Sequence, residues 1–390
     1  MDIPSAPVPF GSPTMAGKEN TRGISSLPQE LYDEVTLFFA NYGLEAEDRI
    51  ARLMCLRLVS VSFNRSATRV LLSAVRLSVS RLLETPQLLH VQSPSSLKSI
   101  FTSDLCRFIR SLTVCSSDWW AKAVRRPHNN LFRCLKRLPS LQYFEINYRS
   151  QHAHAVVYML FDFERAHRYL PRLREIKIDL PAYSSLKYLA PCFRRLEGVL
   201  RTYLPQLQHI DITFVSEFYR LMHYFVDQDF LHLFRLGRGL RSIRLVGIST
   251  YANYPEIYNR KSWLHPDAPI EHIELDKFTA PFEVLARIFN YERTLVRLDI
   301  RRVFLSTREW RDFFLKIRKF PLLSHLHIYA CYYADDGIYL ARCFTKKDED
   351  AAQSACEMTK KRSEALPRGQ ERMIFLRQAA RLSKHGLHLH

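Results

Sequence analysis

Glycine is scarce, at 11 residues in 390. The sequence has no Gly-rich phosphate or dinucleotide loop, no GxSxG elbow and no HExxH pair. The backbone cradles and nucleophile turns of nucleotide-dependent enzymes and hydrolases are therefore missing. Eight cysteines, at positions 55, 106, 115, 134, 192, 331, 343 and 356, form no CxxC pair. Most lie among apolar neighbours and read as small buried hydrophobes in a reducing compartment, not as a zinc site or disulfide frame. Apolar runs are short as well: nowhere do about 18 apolar residues follow one another. Met1 is followed by Asp2 and a Pro/Ser-rich stretch instead of a hydrophobic leader. Neither a signal peptide nor a membrane span is expected, and the location is expected to be intracellular, cytoplasmic or nuclear.

What the chain does have is bulk and charge. Hydrophobic residues make up 47% and aromatic residues 12% of a length that exceeds one ordinary core, so two or three units are expected. The net charge is +18. Residues 1–80 contribute none of it and residues 346–390 contribute +4, so residues 81–345 carry +14.

That middle region repeats itself. The template L-x-x-L-x-L, with aliphatic residues or Phe accepted, occurs as Ile109/Leu112/Val114, Leu141/Phe144/Ile146, Leu173/Ile176/Ile178, Leu207/Ile210/Ile212, Leu240/Ile243/Leu245, Ile270/Ile273/Leu275, Leu295/Leu298/Ile300 and Leu323/Leu326/Ile328. Leu72/Val75/Leu77 fits as a ninth unit. The intervals hold helical patterns such as Tyr183 to Tyr203 and Trp310 to Lys319. Four units announce the strand with proline, at Pro139, Pro171, Pro205 and Pro321. Proline cannot continue a helix and sets its predecessor toward extended geometry, so each unit reads as helix, stop, short strand. This pattern resembles an irregular leucine-rich-repeat solenoid, which implies a parallel sheet on the concave face with helices outside. The Asn or Cys that such repeats carry eight positions after the first Leu is absent except for Cys331, and most intervals are longer than usual.

Side chains alternate across a strand, so the residues between the buried positions share the concave face. They are Ser111 and Thr113, Tyr143 and Glu145, Glu175 and Lys177, His209 and Asp211, Ser242 and Arg244, His272 and Glu274, Arg297 and Asp299, His325 and His327. Five carboxylates against three Lys or Arg residues are a poor grip for a polyphosphate, so nucleic acid is not the expected occupant. This mixed-charge column is the candidate surface for a protein target. The basic excess falls on helices and loops, as in Phe193-Arg194-Arg195 and Arg311 to Lys319. His325-x-His327 has no third ligand near it in sequence, and no metal or cofactor is expected.

The N-terminal part carries a different signal. Leu27-Pro28-Gln29-Glu30-Leu31 is followed, 25 residues after Leu31, by Leu56-Arg57-Leu58-Val59-Ser60-Val61-Ser62-Phe63-Asn64 and then Arg65-Ser66-Ala67-Thr68. Pro28 suits a helix start, and Glu30, Asp33 and Glu34 lie where the helix dipole favours acids. Leu31 and Val35 form one stripe, whereas Ile50 to Phe63 is apolar on almost every side, as a helix sandwiched between the following domain and a partner would be. These residues resemble the fungal form of the F-box, roughly LPxEL, a gap, then LRLVSxxFNxxAT. The gap here is about nine residues longer than in a compact F-box.

The resemblance implies a non-catalytic substrate receptor of a Skp-cullin-F-box ubiquitin ligase. Leu27, Pro28, Leu31, Val35, Leu56, Val59 and Phe63 would engage the Skp-type adaptor, itself joined to the cullin scaffold, and the repeats would hold an unknown target. Two rivals are a repeat-based scaffold with a cullin-independent F-box role and, less favoured, a nucleic-acid binder using the basic outer face. The expected organisation is residues 1–23 disordered, 24–69 F-box, 70–344 repeats, and 345–390 an exposed charged tail. That tail holds Lys346-Lys347 and Lys360-Lys361-Arg362 at bipartite import-signal spacing, and Met373 to Lys384 fits a basic amphipathic helix.

Overall fold

A computed structural model describes residues 27–41, 46–72, 74–77, 89–90, 104–116, 130–148, 153–181, 186–215, 228–248, 263–305, 309–335, 338–342 and 344–365. The chain divides after Val70 into two compact units. The expectations for residues 1–23 and Met373–Lys384 lie outside the described residues.

The first unit is helical: α1 (Gln29–Asn41), α2 (Ala46–Val59) and α3 (Val61–Leu72). Its second half departs from the expected single helix over Ile50–Phe63, because the chain breaks at Ser60. The Ser60 hydroxyl accepts the Phe63 N–H at 3.2 Å and its carbonyl accepts the Asn64 N–H at 2.8 Å, so Ser60 serves as the N-cap of α3. Apolar periodicity alone could not show that break, since apolar residues flank Ser60 on both sides.

The second unit is a 12-stranded sheet, parallel throughout except for its last pair. Its strands are β1 (Ala74–Leu77), β2 (Leu89–His90), β3 (Ser111–Ser116), β4 (Tyr143–Tyr148), β5 (Glu175–Pro181), β6 (His209–Val215), β7 (Ser242–Val246), β8 (His272–Ala280), β9 (Arg297–Leu305), β10 (His325–Tyr329), β11 (Tyr332–Asp335) and β12 (Ile338–Arg342). From β3 to β10 each strand lies beside the next in sequence, and β1 joins at β3. Connecting helices are α4 (Asn130–Leu135), α5 (Ala153–Arg165), α6 (Leu186–Tyr203), α7 (Gln228–His232), α8 (Phe282–Ala286) and α9 (Trp310–Ile317), with α10 (Lys346–Ala365) after the last strand.

Equivalent template positions sit opposite each other. Leu112, Phe144, Ile176, Ile210, Ile243, Ile273, Leu298 and Leu326 form one row, and Val75 pairs with Leu112 at its end. The template residues from Ile109 to Leu323 are all buried, and Leu326 and Ile328 in β10 partly so. The prolines stop the α-helices as expected but do not set their predecessors extended, since Leu204 lies in a 3-10 helix and Leu170 has ψ 53°: in Leu138-Pro139-Ser140-Leu141, Leu170-Pro171-Arg172-Leu173 and Leu204-Pro205-Gln206-Leu207 the last N–H returns to the first carbonyl at 3.1–3.3 Å, closing a turn with proline at its second position. One residue later the carbonyls of Arg110, Gln142, Arg174, Gln208, Arg241, Glu271 and Val296 each accept two N–H groups from the following unit, at 2.7–3.2 Å.

A second regularity replaces the missing Asn. Gly247, Lys277, Arg302 and Ala330 all have positive φ, between 50° and 75°. Continuing the strand register places them in one row across four adjacent units. Each adds a residue that switches the side-chain phase, as a β-bulge does. In β8 the buried positions are Ile273 and Leu275 before the kink and Phe278 and Ala280 after it; in β9 they are Leu298 and Ile300, then Val303 and Leu305. Ile248, Phe278, Val303 and Cys331 thus fill, with apolar side chains, the corner where Asn is usual. β5 and β6 lack the kink, and their alternation runs on to Leu180 and Phe214.

The tail was expected to be exposed from residue 345, but its first part is ordered as α10. Thr345 caps it, donating its N–H and hydroxyl to Asp348 at 2.7 and 2.6 Å. Ala351, Ala355 and Thr359 are buried, and Arg318 on the adjoining turn donates to Ser354 at 3.2 Å. Small residues at i, i+4 and i+8 let the charged helix lie close to α9, a stripe too slight to dominate its hydropathy.

Gly247 carries a positive φ without a Cβ penalty, whereas Lys277 bears one. Gly247→Val should cost about 1–2 kcal/mol, and Lys277→Gly should be neutral or stabilising, both read from urea midpoints.

Candidate functional site

In the helical unit, α1 turns Tyr32 and Thr36 inward, and the Phe63 ring stands edge-on to Tyr32 with centroids 4.9 Å apart. A polar frame fixes the helices. Asp33 accepts from the Ser66 hydroxyl at 2.6 Å and from Arg69 at 2.9 Å, and Gln29 donates to the Ser66 hydroxyl at 2.7 Å. Asn64 accepts from Arg57 at 3.0 Å and from Thr68 at 3.3 Å. Ala67 of α3 is fully buried. Arg57, Asn64 and Thr68, polar letters of the second motif, thus tie α2 to α3, while Gln29, Asp33, Ser66 and Arg69, outside the motif letters, tie α1 to α3.

The apolar letters are left outside. Leu27, Pro28, Leu31, Val35 and Val59 are exposed, with Leu31 at 41% and Val59 at 65%. Leu56 and Phe63 are half-buried and shared between the interior and the surface. The sequence reading missed Leu37, Phe38 and Phe39, and counted Met54, Leu58 and Val61 in the apolar Ile50–Phe63 stretch without assigning them to the adaptor; all six are exposed, reaching 88% at Leu58. Their signal was the surplus of apolar residues over what three short helices can cover. Scattered exposed apolar residues are ordinary, but this many within one small unit mark a surface that associates.

In the sheet unit, the face turned away from the helices carries the expected residues in two rows. Ser111, Tyr143, Glu175, His209, Ser242, His272, Arg297 and His325 form the first, and Thr113, Glu145, Lys177, Asp211, Arg244, Glu274, Asp299 and His327 the second. Much of their charge is spent on one another. Glu145 accepts from Thr113 at 2.9 Å, from the Tyr143 hydroxyl at 3.0 Å and from Lys177 at 2.9 Å. Arg244 reaches Asp211 at 3.0 Å and Glu274 at 3.1 Å. Arg297 and Arg301 both contact Asp299, and Arg301 also donates to His327 at 3.2 Å. Arg302, from the kinked position, pairs with Asp276.

This corrects the target-binding set. Tyr143, Glu145 and Asp299 are buried beneath their partners and are not offered to a ligand. Glu175, Lys177, His209, Asp211, Arg244, His272, Glu274 and Arg297 are half-buried, and only His325 and His327 are exposed. Tyr329, 62% exposed, extends the open end of the column beside them.

Burial opposes ionisation of Glu145, but Lys177 and the Thr113 and Tyr143 hydroxyls outweigh it and hold its carboxyl below the ordinary range. Burial raises Asp211 although Arg244 opposes it. Asp179, half-buried in the next row, is pushed up to about 6 by burial, which Lys177 and Arg244 oppose and Asp211 and Glu145 reinforce. On the helix side burial lifts Asp162 to about 7 against the Phe132 N–H and Arg165, and its Oδ1 finds no hydrogen-bond partner among the described residues.

Among the described residues, no group of three or more His, Cys, Asp or Glu is placed to hold a metal ion, and no helix is long and apolar enough to cross a membrane. Two faces remain with the means to bind: an oily helical surface and a polar sheet surface. The fold is that of a leucine-rich-repeat-like, mostly parallel α/β protein with a helical N-terminal unit.

No protein-family model matches the sequence, and no curated protein matches it. The chain is similar to a crystal structure of a TLR13–ssRNA13 complex, at 11% identity and a TM-score of 0.31, over 68% of this chain and 36% of that one. That likeness is too slight to carry an argument about function.

Two outcomes follow from the electrostatics. Asp179 has a folded pKa above its usual 3.8, so it lowers stability as pH rises from about 4 to about 6, and the full cost stands above that window. Asp179→Asn should raise the urea midpoint at pH 7.5 and leave it unchanged near pH 4. Arg244→Ala, which strands Asp211 and Glu274 together, should cost about 1–3 kcal/mol at neutral pH, and adding Asp211→Asn and Glu274→Gln should restore most of it.

Proposed function

We propose that this chain is the non-catalytic substrate-recognition subunit of a Skp-cullin-F-box ubiquitin ligase. The helical unit docks a Skp-type adaptor, and the repeats present a target protein. The observation that carries the reading is the division of labour within the helical unit: polar side chains in and beside the F-box-like motifs hold the three helices together while Leu27, Leu31, Val35 and Val59 stay exposed. Burying such side chains contributes about 1.5–3 kcal/mol each before association entropy is subtracted, enough for a stable complex from a handful of contacts.

The chain itself supplies no nucleophile in this reading. Holding a target lysine beside a charged ubiquitin-conjugating enzyme raises its effective concentration, and that proximity is the contribution to rate. The sheet face suits selection more than tight grip: its charges are already paired, so a ligand must match the pattern to avoid leaving groups unsatisfied. The open end of the column, with His325, His327 and Tyr329, is where its side chains are exposed.

Affinity purification of the wild-type chain should retain adaptor and cullin. A Leu31→Arg, Val59→Asp variant, substituted only at exposed positions, should lose both while keeping its helical circular dichroism. Recovery of neither protein with the wild type would sink the receptor reading.

A further inference from the structure

The helix side of the sheet unit carries a feature that neither motif reading uses. Lys136, on the turn after α4, lies 4.8 Å from the centroid of Tyr169 and 5.4 Å from that of Phe132. Arg165 of α5 lies over the same Phe132 at 4.6 Å and over Phe161 at 5.4 Å, and Arg195 of α6 lies over Phe161 at 4.6 Å. Three successive units thus contribute alternating cations and rings to one stripe. Lys136 and Arg165 are exposed, and Arg195 is half-buried. Among the described residues the stripe has one ion pair, Glu164 to Arg195 at 3.6 Å, and the buried Asp162 carboxyl lies within electrostatic reach of Arg165. Lys136 and Arg165 make no ion pair among the described residues.

We propose that this stripe is a binding surface for an acidic polypeptide segment. A guanidinium laid on a ring loses freedom in advance while its N–H edge still faces outward, in the geometry that takes a carboxylate on two donors. Neighbouring helices lie about 8–10 Å apart, close to the rise of one polyproline-II turn, three residues at about 3.1 Å each. Carboxylates at every third position of such an extended segment share one face and would therefore meet successive cations. Single-stranded nucleic acid fits less well, because it binds by stacking bases on open rings, and Phe132 and Phe161 each already carry two cations. The proposal is independent of adaptor docking.

The test is fluorescence anisotropy with the full chain and a labelled decaglutamate peptide at low ionic strength. Arg165→Gln with Arg195→Gln should weaken binding by at least about tenfold, the scale of losing one strong charge-assisted contact. Lys360→Gln with Lys361→Gln, equal in charge and exposed on α10, should change it less than about twofold. Phe161→Leu, which keeps every charge but removes a ring, should weaken it about two- to fivefold. Equal losses from both charge pairs would mean attraction to bulk charge only and would overturn the proposal. So would no effect of Phe161→Leu, no peptide binding at all, or tighter binding of duplex DNA that the same stripe variants abolish.

Discussion

Everything in the sheet unit depends on a shared carbonyl. At the head of each strand one backbone oxygen accepts two N–H groups of the following unit, and this happens at seven successive junctions from Arg110 to Val296. Such a contact fixes register without regard to side chains, which is why units of quite different length still align. Register in turn decides everything above it: which residues meet the aromatic core, which face outward, and which charges become neighbours. A slip of one residue would exchange the two faces.

Much of this was legible from letters alone. Template residues report burial directly, because an aliphatic pair at alternate positions after a proline stop has few other ways to satisfy both backbone and side chain. The outward rows followed from alternation. The kinks did not, since Lys277, Arg302 and Ala330 adopt the conformation expected of glycine and only Gly247 looks the part. Their cause is collective: four neighbouring strands adopt the same bulge together, and buried apolar residues just beyond it hold it in place. The break at Ser60 and the helix beginning at Lys346 escaped for opposite reasons, the first hidden in excess hydrophobicity and the second in excess charge.

The functional residues were only partly legible, because a list of outward-facing side chains does not say which are already engaged. Tyr143, Glu145 and Asp299 belong to the right face yet are buried by the neighbours they pair with. In the helical unit the reverse holds: most apolar residues of the motifs are exposed, with Leu56 and Phe63 half-buried, and much of the structural work falls to Asp33, Ser60, Asn64 and Ser66. The same protein thus puts polar side chains to use as mortar on one unit and as a displayed pattern on the other.

Along the second outward row the signs run minus, plus, minus, plus, minus from Glu145 through Lys177, Asp211 and Arg244 to Glu274, each residue contributed by a separate unit. Loss of any one interior unit would bring two like charges side by side in a half-buried setting, whereas loss of two adjacent units would keep the alternation.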